Sequence, residues 1–191
     1  MKKNTVKILL VLLFLFIPGA ISPQAVAQKE AKVLVVYYSR TGHTRLVAER
    51  LAKKFGADVE QLIDQHKRTG VFGASSAGKD AIAGKTTLID PLKHNPGDYD
   101  MILIGGPSWF GNVTPAVRTF IMQNDFSGKK IGLFGICHLT GVEHALEEAA
   151  DLISKGTHKK FPTMPLRERE LAEEVLAKKI DAFYQKATAG Q

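Results

Sequence analysis

KVLVVYYSRTGHTRLVAERL, residues Lys32 to Leu51, decides the fold because it reads as strand, polar turn and helix in twenty residues. Val33 to Tyr38 is a continuous β-branched and aromatic run, the pattern of a parallel strand covered on both faces. Ser39-Arg40-Thr41-Gly42-His43-Thr44 interrupts it, and Val47, Leu51 and Phe55 then recur every fourth residue up to Gly56, a residue suited to close a helix. A hydroxyl-rich turn with a glycine, placed before a helix N-terminus, suits a phosphate: free N–H groups point outward and the helix dipole favours negative charge.

The rest of the chain repeats this unit. Ala57 to Ile63 reads as a second strand, and Asp64 to Asp98 as a long connection with a short helix around Lys79 to Gly84. Tyr99 to Ile104 reads as a third strand, leading into Gly105-Gly106-Pro107-Ser108-Trp109-Phe110-Gly111-Asn112. Thr114 and Pro115 can cap and start a helix whose buried stripe is Val117, Phe120 and Ile121. Lys130 to Ile136 reads as the fourth strand, running into Cys137-His138-Leu139-Thr140-Gly141 and a helix with Ala145, Leu146, Ala149 and Leu152. His158 to Met164 is expected as a fifth strand, at an edge because of Pro162, and Leu171, Val175, Leu176, Ile180 and Phe183 mark the last helix. Strands alternating with helices imply an α/β three-layer sandwich around a parallel sheet, with ligands beyond the carboxyl ends of the strands. The three unusual loops all follow strand carboxyl ends.

The order Val35-Val36-Tyr37, Ser39, Gly42, Thr44, Ala48 and Leu51 resembles the signature around the first strand of the flavodoxin family, whose members bind FMN. The resemblance spans nearly all of the chain after residue 27. It implies a five-stranded sheet of order 2-1-3-4-5 in a short-chain type, since too few residues follow Ser154 for a long insertion in the fifth strand. It also implies that Ser39, Arg40, Thr41, Gly42, His43 and Thr44 surround the FMN phosphate. Pro107, Ser108, Trp109, Phe110, Gly111 and Asn112 would border the flavin ring, with one aromatic stacking (Trp109 is favoured) and the other supporting. Gly111-Asn112 is the peptide expected to turn over near flavin N5. Cys137, His138 and Gly141 would stand at the pyrimidine end. The acids and aromatics usual in that third loop are absent, which is expected to raise the second reduction potential. His138 is read either as a plain loop residue or as an acid at the ring edge in quinone reduction, and Cys137 as a small half-buried residue.

The first residues belong to another process. Lys2, Lys3 and Lys7 precede an apolar run from Ile8 to Ile17, a Pro18-Gly19 break and Ala25-Val26-Ala27. This is the pattern of a secretory signal over 1–27, cleaved to leave a domain over 28–191; an uncleaved membrane anchor is the alternative. Export to the periplasm or outside the cell is expected. Removal of the three lysines takes the formal charge from +7 to +4, so the domain stays basic where flavodoxins are usually acidic. The single cysteine rules out an intramolecular disulfide.

Other chemistries find little support. Gly73-Ala-Ser-Ser-Ala-Gly78-Lys79 begins like a nucleotide loop, but Asp80 stands where a magnesium-binding hydroxyl is needed. The histidines have no metal-ligand spacing, there is no serine elbow, and no basic-aromatic interleaving suggests nucleic acid. Three functions stay open. The first is an FMN electron carrier between redox partner proteins. The second is an FMN-dependent NAD(P)H or quinone oxidoreductase, and the third a flavin-free binding module.

Overall fold

The structure, a computed structural model, describes residues 31–66 and 78–189. The expected signal segment and the Gly73 to Ala77 part of the loop before Lys79 lie outside them. The strands are β1 (Val33–Tyr37), β2 (Asp58–Gln61), β3 (Met101–Pro107), β4 (Lys130–Cys137) and β5 (Thr163–Arg167). The long helices are α1 (His43–Phe55), α2 (Pro115–Gln123), α3 (Val142–Ile153) and α4 (Glu173–Thr188). All neighbouring strands pair in parallel, in the order β2-β1-β3-β4-β5. The parallel sheet between helices is what the alternating pattern predicts, and the strand order is the one the family resemblance implies.

Strand alternation sorts the core into two layers. Leu34, Val36, Ile102, Ile104 and Leu133 meet Val117, Phe120, Val142 and Leu146 of α2 and α3 on one face. Val35, Tyr37, Leu103, Phe134 and Ile136 meet Val47, Leu51, Leu176, Ile180 and Phe183 of α1 and α4 on the other. Burial on both faces is why the central strands read as unbroken apolar runs, and each fully buried aliphatic side chain contributes about 1.5–3 kcal/mol. Helix α1 ends as its sequence suggests: Gly56 takes φ +61°, and Ala57 and Gly56 both return an N–H to the Ala52 carbonyl.

Several boundaries move. The fifth strand is Thr163–Arg167, not His158 to Met164, because Met164 and Leu166 supply the inward positions while Lys159 and Lys160 stay exposed. Its register sets Met164 against Phe134 and Leu166 against Ile136. Pro165 lies inside this strand, tolerated because β5 is an edge with a partner on one side only. In α4, Val175 is exposed while Leu176, Ile180 and Phe183 carry the buried face. Thr114 does precede α2, but its side chain makes no cap and its Oγ1 is buried without a partner among the described residues.

The long connection is tied down rather than loose. Gln65 N–H reaches Leu88 O at 2.9 Å and Asp90 N–H reaches Ile63 O at 3.0 Å. The buried Glu60 carboxylate of β2 accepts from the N–H groups of Lys93 and His94 and from the His94 ring at 2.8 Å. Ile89 and Leu92 then pack on the α2–α3 face of the core, so the described part of this segment covers the sheet.

Candidate functional site

Residues Ser39 to Thr44 leave the carboxyl end of β1 and enter α1. Gly42 adopts φ +96°, with open space where a Cβ would be, and its N–H donates to Ser39 Oγ at 3.1 Å. That internal bond shapes the turn. Helix α1 has no side-chain cap and no acidic residue in its first turn. Among the described residues, no protein group accepts from the N–H groups of Arg40, Thr41, His43 or Thr44. Unmet donors at a helix N-terminus, with the Thr44 side chain buried beside them, are what an anion needs. Arg40 and Thr41 are exposed at the rim.

The second loop leaves β3 one strand away. Pro107 is still in the strand, paired with Ile136. Trp109 and Asn112 exchange backbone hydrogen bonds at 3.1 and 3.0 Å, which makes a tight turn with Phe110 and Gly111 at its tip, at φ +51° and +80°. The two aromatics separate. Trp109 is half-buried and meets the Tyr38 ring edge-on at 5.8 Å, whereas Phe110 is 77% exposed and its ring lies against Gly78. Asn112 serves the turn, donating its side-chain N–H to Phe110 O at 2.7 Å. The Gly111 carbonyl accepts from His144 Nδ1 of α3 at 2.7 Å.

The third loop leaves β4. Cys137 is its last strand residue and is buried; burial pushes the thiol above its ordinary range despite an N–H bond from Val142. It is therefore a protonated thiol at neutral pH. Gly141 takes φ +92° and lies so close to Gly111 that a Cβ there would meet the Gly111 Cα at 2.8 Å. Ser108 Oγ donates to Gly141 O at 3.2 Å. The second and third loops thus form one wall.

A cleft of about 200 Å³ lies between these loops, lined by Arg40, Thr41, His43, Thr44, Pro107, Ser108, Trp109, Ile136, Cys137, His138 and Glu168. Ser39, Gly42, Phe110, Gly111, Asn112 and Gly141 shape its loops without lining it. A larger cleft, about 670 Å³, sits at the opposite end of the sheet near the C-termini of α2 and α3. The smaller one is the better ligand site, because parallel sheets present helix N-termini and free donors only at their carboxyl ends.

Sequence reasoning missed Glu168. This residue follows β5, and its carboxylate accepts from His138 Nδ1 at 2.7 Å and from His43 Nδ1 at 3.3 Å. The His138 bond, the largest cause, and the two imidazole charges hold its pKa below the usual carboxylate range. The third loop lacks the acids usual there, and the fold brings one to it from the segment after β5. A weak signal existed, since Arg167 to Glu170 is a charged run at the carboxyl end of the last strand. Among the described residues no group of His, Cys, Asp and Glu side chains is placed to hold a metal.

The donor set fits a flavin phosphate. Loop one offers unmet N–H groups and hydroxyls, Gly42 leaves the approach open, and Trp109 supplies an apolar wall next to it. Comparison with solved structures bears on the scaffold. A flavoprotein from Lactobacillus acidophilus, solved in complex with FMN, is 20% identical with a TM-score of 0.59, covering 72% of this chain and 92% of its own. A protein of Bacteroides uniformis provisionally assigned as a flavoprotein is 23% identical with a TM-score of 0.64, over 80% and 99%. Oxidised flavodoxin 2 from Bacillus cereus is 17% identical with a TM-score of 0.53, over 82% and 98%. At these identities the likeness establishes the fold. The sequence goes further: the family model described as flavodoxin matches residues 32–182, and the chain belongs to the flavodoxin family.

Proposed function

We propose that this protein is an FMN-carrying electron-transfer flavoprotein, exported by its N-terminal segment and cleaved after Ala27. One observation carries the cofactor reading: a basic, hydroxyl-bearing turn with four unmet N–H groups faces a cleft at the switch point between β1 and β3, with the only tryptophan on the adjoining wall. FMN, when bound, supplies the one- and two-electron chemistry.

The chain's own residues bind and shield. Ser39 and Gly42 set the turn, while Thr44, Thr41 and the free N–H groups hold the phosphate. Trp109 and Pro107 exclude water from the apolar side. Ser108 and Gly141 keep the second and third loops together. None of these groups moves a proton in this reading, which is why a carrier is preferred to an oxidoreductase. The exposed His138 at the cleft rim is the one feature that favours the second reading, an FMN-dependent NAD(P)H or quinone oxidoreductase. Redox partner proteins are the expected exchange partners of the carrier.

Purification of the mature domain with added FMN tests this directly. The carrier reading expects a yellow 1:1 complex that NAD(P)H does not bleach. Rapid bleaching with turnover of a quinone supports the oxidoreductase, and failure to take up FMN removes both. N-terminal sequencing of the protein recovered from the producing cell's exported fraction is expected to start at Gln28.

A further inference from the structure

Two exposed apolar side chains stand next to residues that line the cleft. Phe110, 77% exposed, follows Trp109, and Leu139, 68% exposed, follows His138. The close approach of Gly111 and Gly141 brings these two loop tips together. The Phe110 ring also lies against Gly78, so Lys79 stands at the same rim. Arg40 lines the cleft, and Arg169 follows Glu168, which lines it too. A small apolar centre with cations around it therefore sits at the mouth of the proposed flavin site.

The charges at this rim do not cancel. Arg40, Lys79 and Arg169 are exposed and form no ion pair among the described residues. The acids beside them are taken: Asp80 by Lys85, Glu143 by Arg167, Glu168 by His138 and His43, and Glu170 by Lys179. Glu147, exposed on the second turn of α3, lines a different groove with Arg118 and Asp151. Exposed charges of one sign steer encounter, and an apolar centre inside a charged rim is the build of a transient protein contact. Lys155 and Lys159 border the larger cleft at the opposite end of the sheet, where a partner would face away from the flavin.

We propose that Phe110 and Leu139, ringed by Arg40, Lys79 and Arg169, form the docking surface for the redox partner, and that this partner is a protein with an acidic rim around an apolar patch. The purpose of the surface rests on the FMN reading of the cleft; its contacts do not. Complementary charge brings the partner in, and the two apolar tips hold it over the Trp109 wall. Lipid is the poorer occupant, because two side chains and three cations offer too little apolar area and charge to hold a folded domain on a bilayer.

Amide NMR spectra of the domain from Gln28 onward, first without FMN, would be recorded during titration with an acidic c-type cytochrome at low salt. The signals of Lys79, Phe110, Leu139 and Arg169 are expected to shift, and those of Lys155 and Lys159 to stay. With FMN bound and reduced, stopped flow follows one electron passing from the flavin to the ferric haem iron of the same cytochrome. That rate should fall about tenfold between about 20 and about 200 mM salt, and a basic c-type cytochrome should show the opposite salt dependence. At full FMN occupancy, the double variant Lys79→Glu, Arg169→Glu should lose about tenfold at low salt and flatten the dependence. Phe110→Ser, Leu139→Ser should weaken the complex and keep the parent's salt slope. No shifts, shifts confined to the Lys155 side, or equal rates and slopes in the parent and the charge-reversed variant overturn the inference. Sedimentation with phosphatidylglycerol vesicles that charge reversal abolishes would put lipid in the partner's place and overturn it too. If FMN does not bind, the cofactor reading fails, and the titration without FMN still decides on this surface.

Discussion

Gly105 of β3 and Phe134 of β4 stand opposite each other in register, and the Phe134 ring fills the space that a side chain at position 105 would need. A Cβ on Gly105 would meet that ring at 2.4 Å. Phe134 is 1% exposed, so the ring has nowhere to go. Gly105→Ala is expected to cost about 2 kcal/mol through overpacking. The urea midpoint reads this out, and a midpoint equal to the parent's would refute it.

A second pair joins α2 to α3. The Arg118 guanidinium is buried and bonded to Glu148 Oε1, while Glu148 Oε2 accepts the Val113 N–H at 2.7 Å. Removing the acid strands a buried cation and an N–H at once. Glu148→Ala should cost about 3 kcal/mol, and the double change Arg118→Met, Glu148→Met should recover much of that. A double-mutant cycle measures it; additive losses would show that the pair is not coupled.

Tyr99 predicts an alkaline limit. Burial, the largest cause, and its bond to Asp58 Oδ2 at 2.8 Å push its pKa up to about 12. The folded value lies above the unfolded value of 10.0, so this group's stabilisation is complete below pH 10 and is lost as the pH rises towards 12. Denaturation midpoints at pH 9 and 11.5 should fall more steeply for the parent than for Tyr99→Phe. Parallel falls would count against it.

The proposed phosphate role of the Ser39 to Thr44 turn is tested by comparing two ligands. Thr44→Val keeps the shape and removes the hydroxyl, so FMN affinity should drop roughly tenfold, the size of a hydrogen bond to a charged group, with riboflavin unchanged. Trp109→Ala should instead weaken both flavins, by about tenfold, because it removes an aromatic wall. Equal losses of FMN and riboflavin in Thr44→Val would place the phosphate elsewhere.

Local pattern determined much of this protein. The Val33 to Tyr38 run, the Ser39 to Thr44 turn and Gly56 are short-range features, and a strand, a free helix N-terminus and a helix stop follow from them by sterics and hydrogen bonding alone. The alternation of such units implied the parallel sheet and put the three loops at one edge. Boundaries were less legible. Apolar alternation through Met164 and Leu166 became decisive only when β4 supplied the opposing residues, and Pro165 was acceptable only at an edge. The difference between Trp109 and Phe110 was also invisible in sequence. Both are large aromatics in one loop, and the hydrogen-bonded turn between Trp109 and Asn112 sends one ring inward and leaves the other outside. Tertiary structure alone brought Glu168 to His43 and His138, across separations of 125 and 30 residues. No local pattern encodes a contact between side chains on different strand ends, because its geometry depends on sheet order and register, and the charge of the cleft is set there.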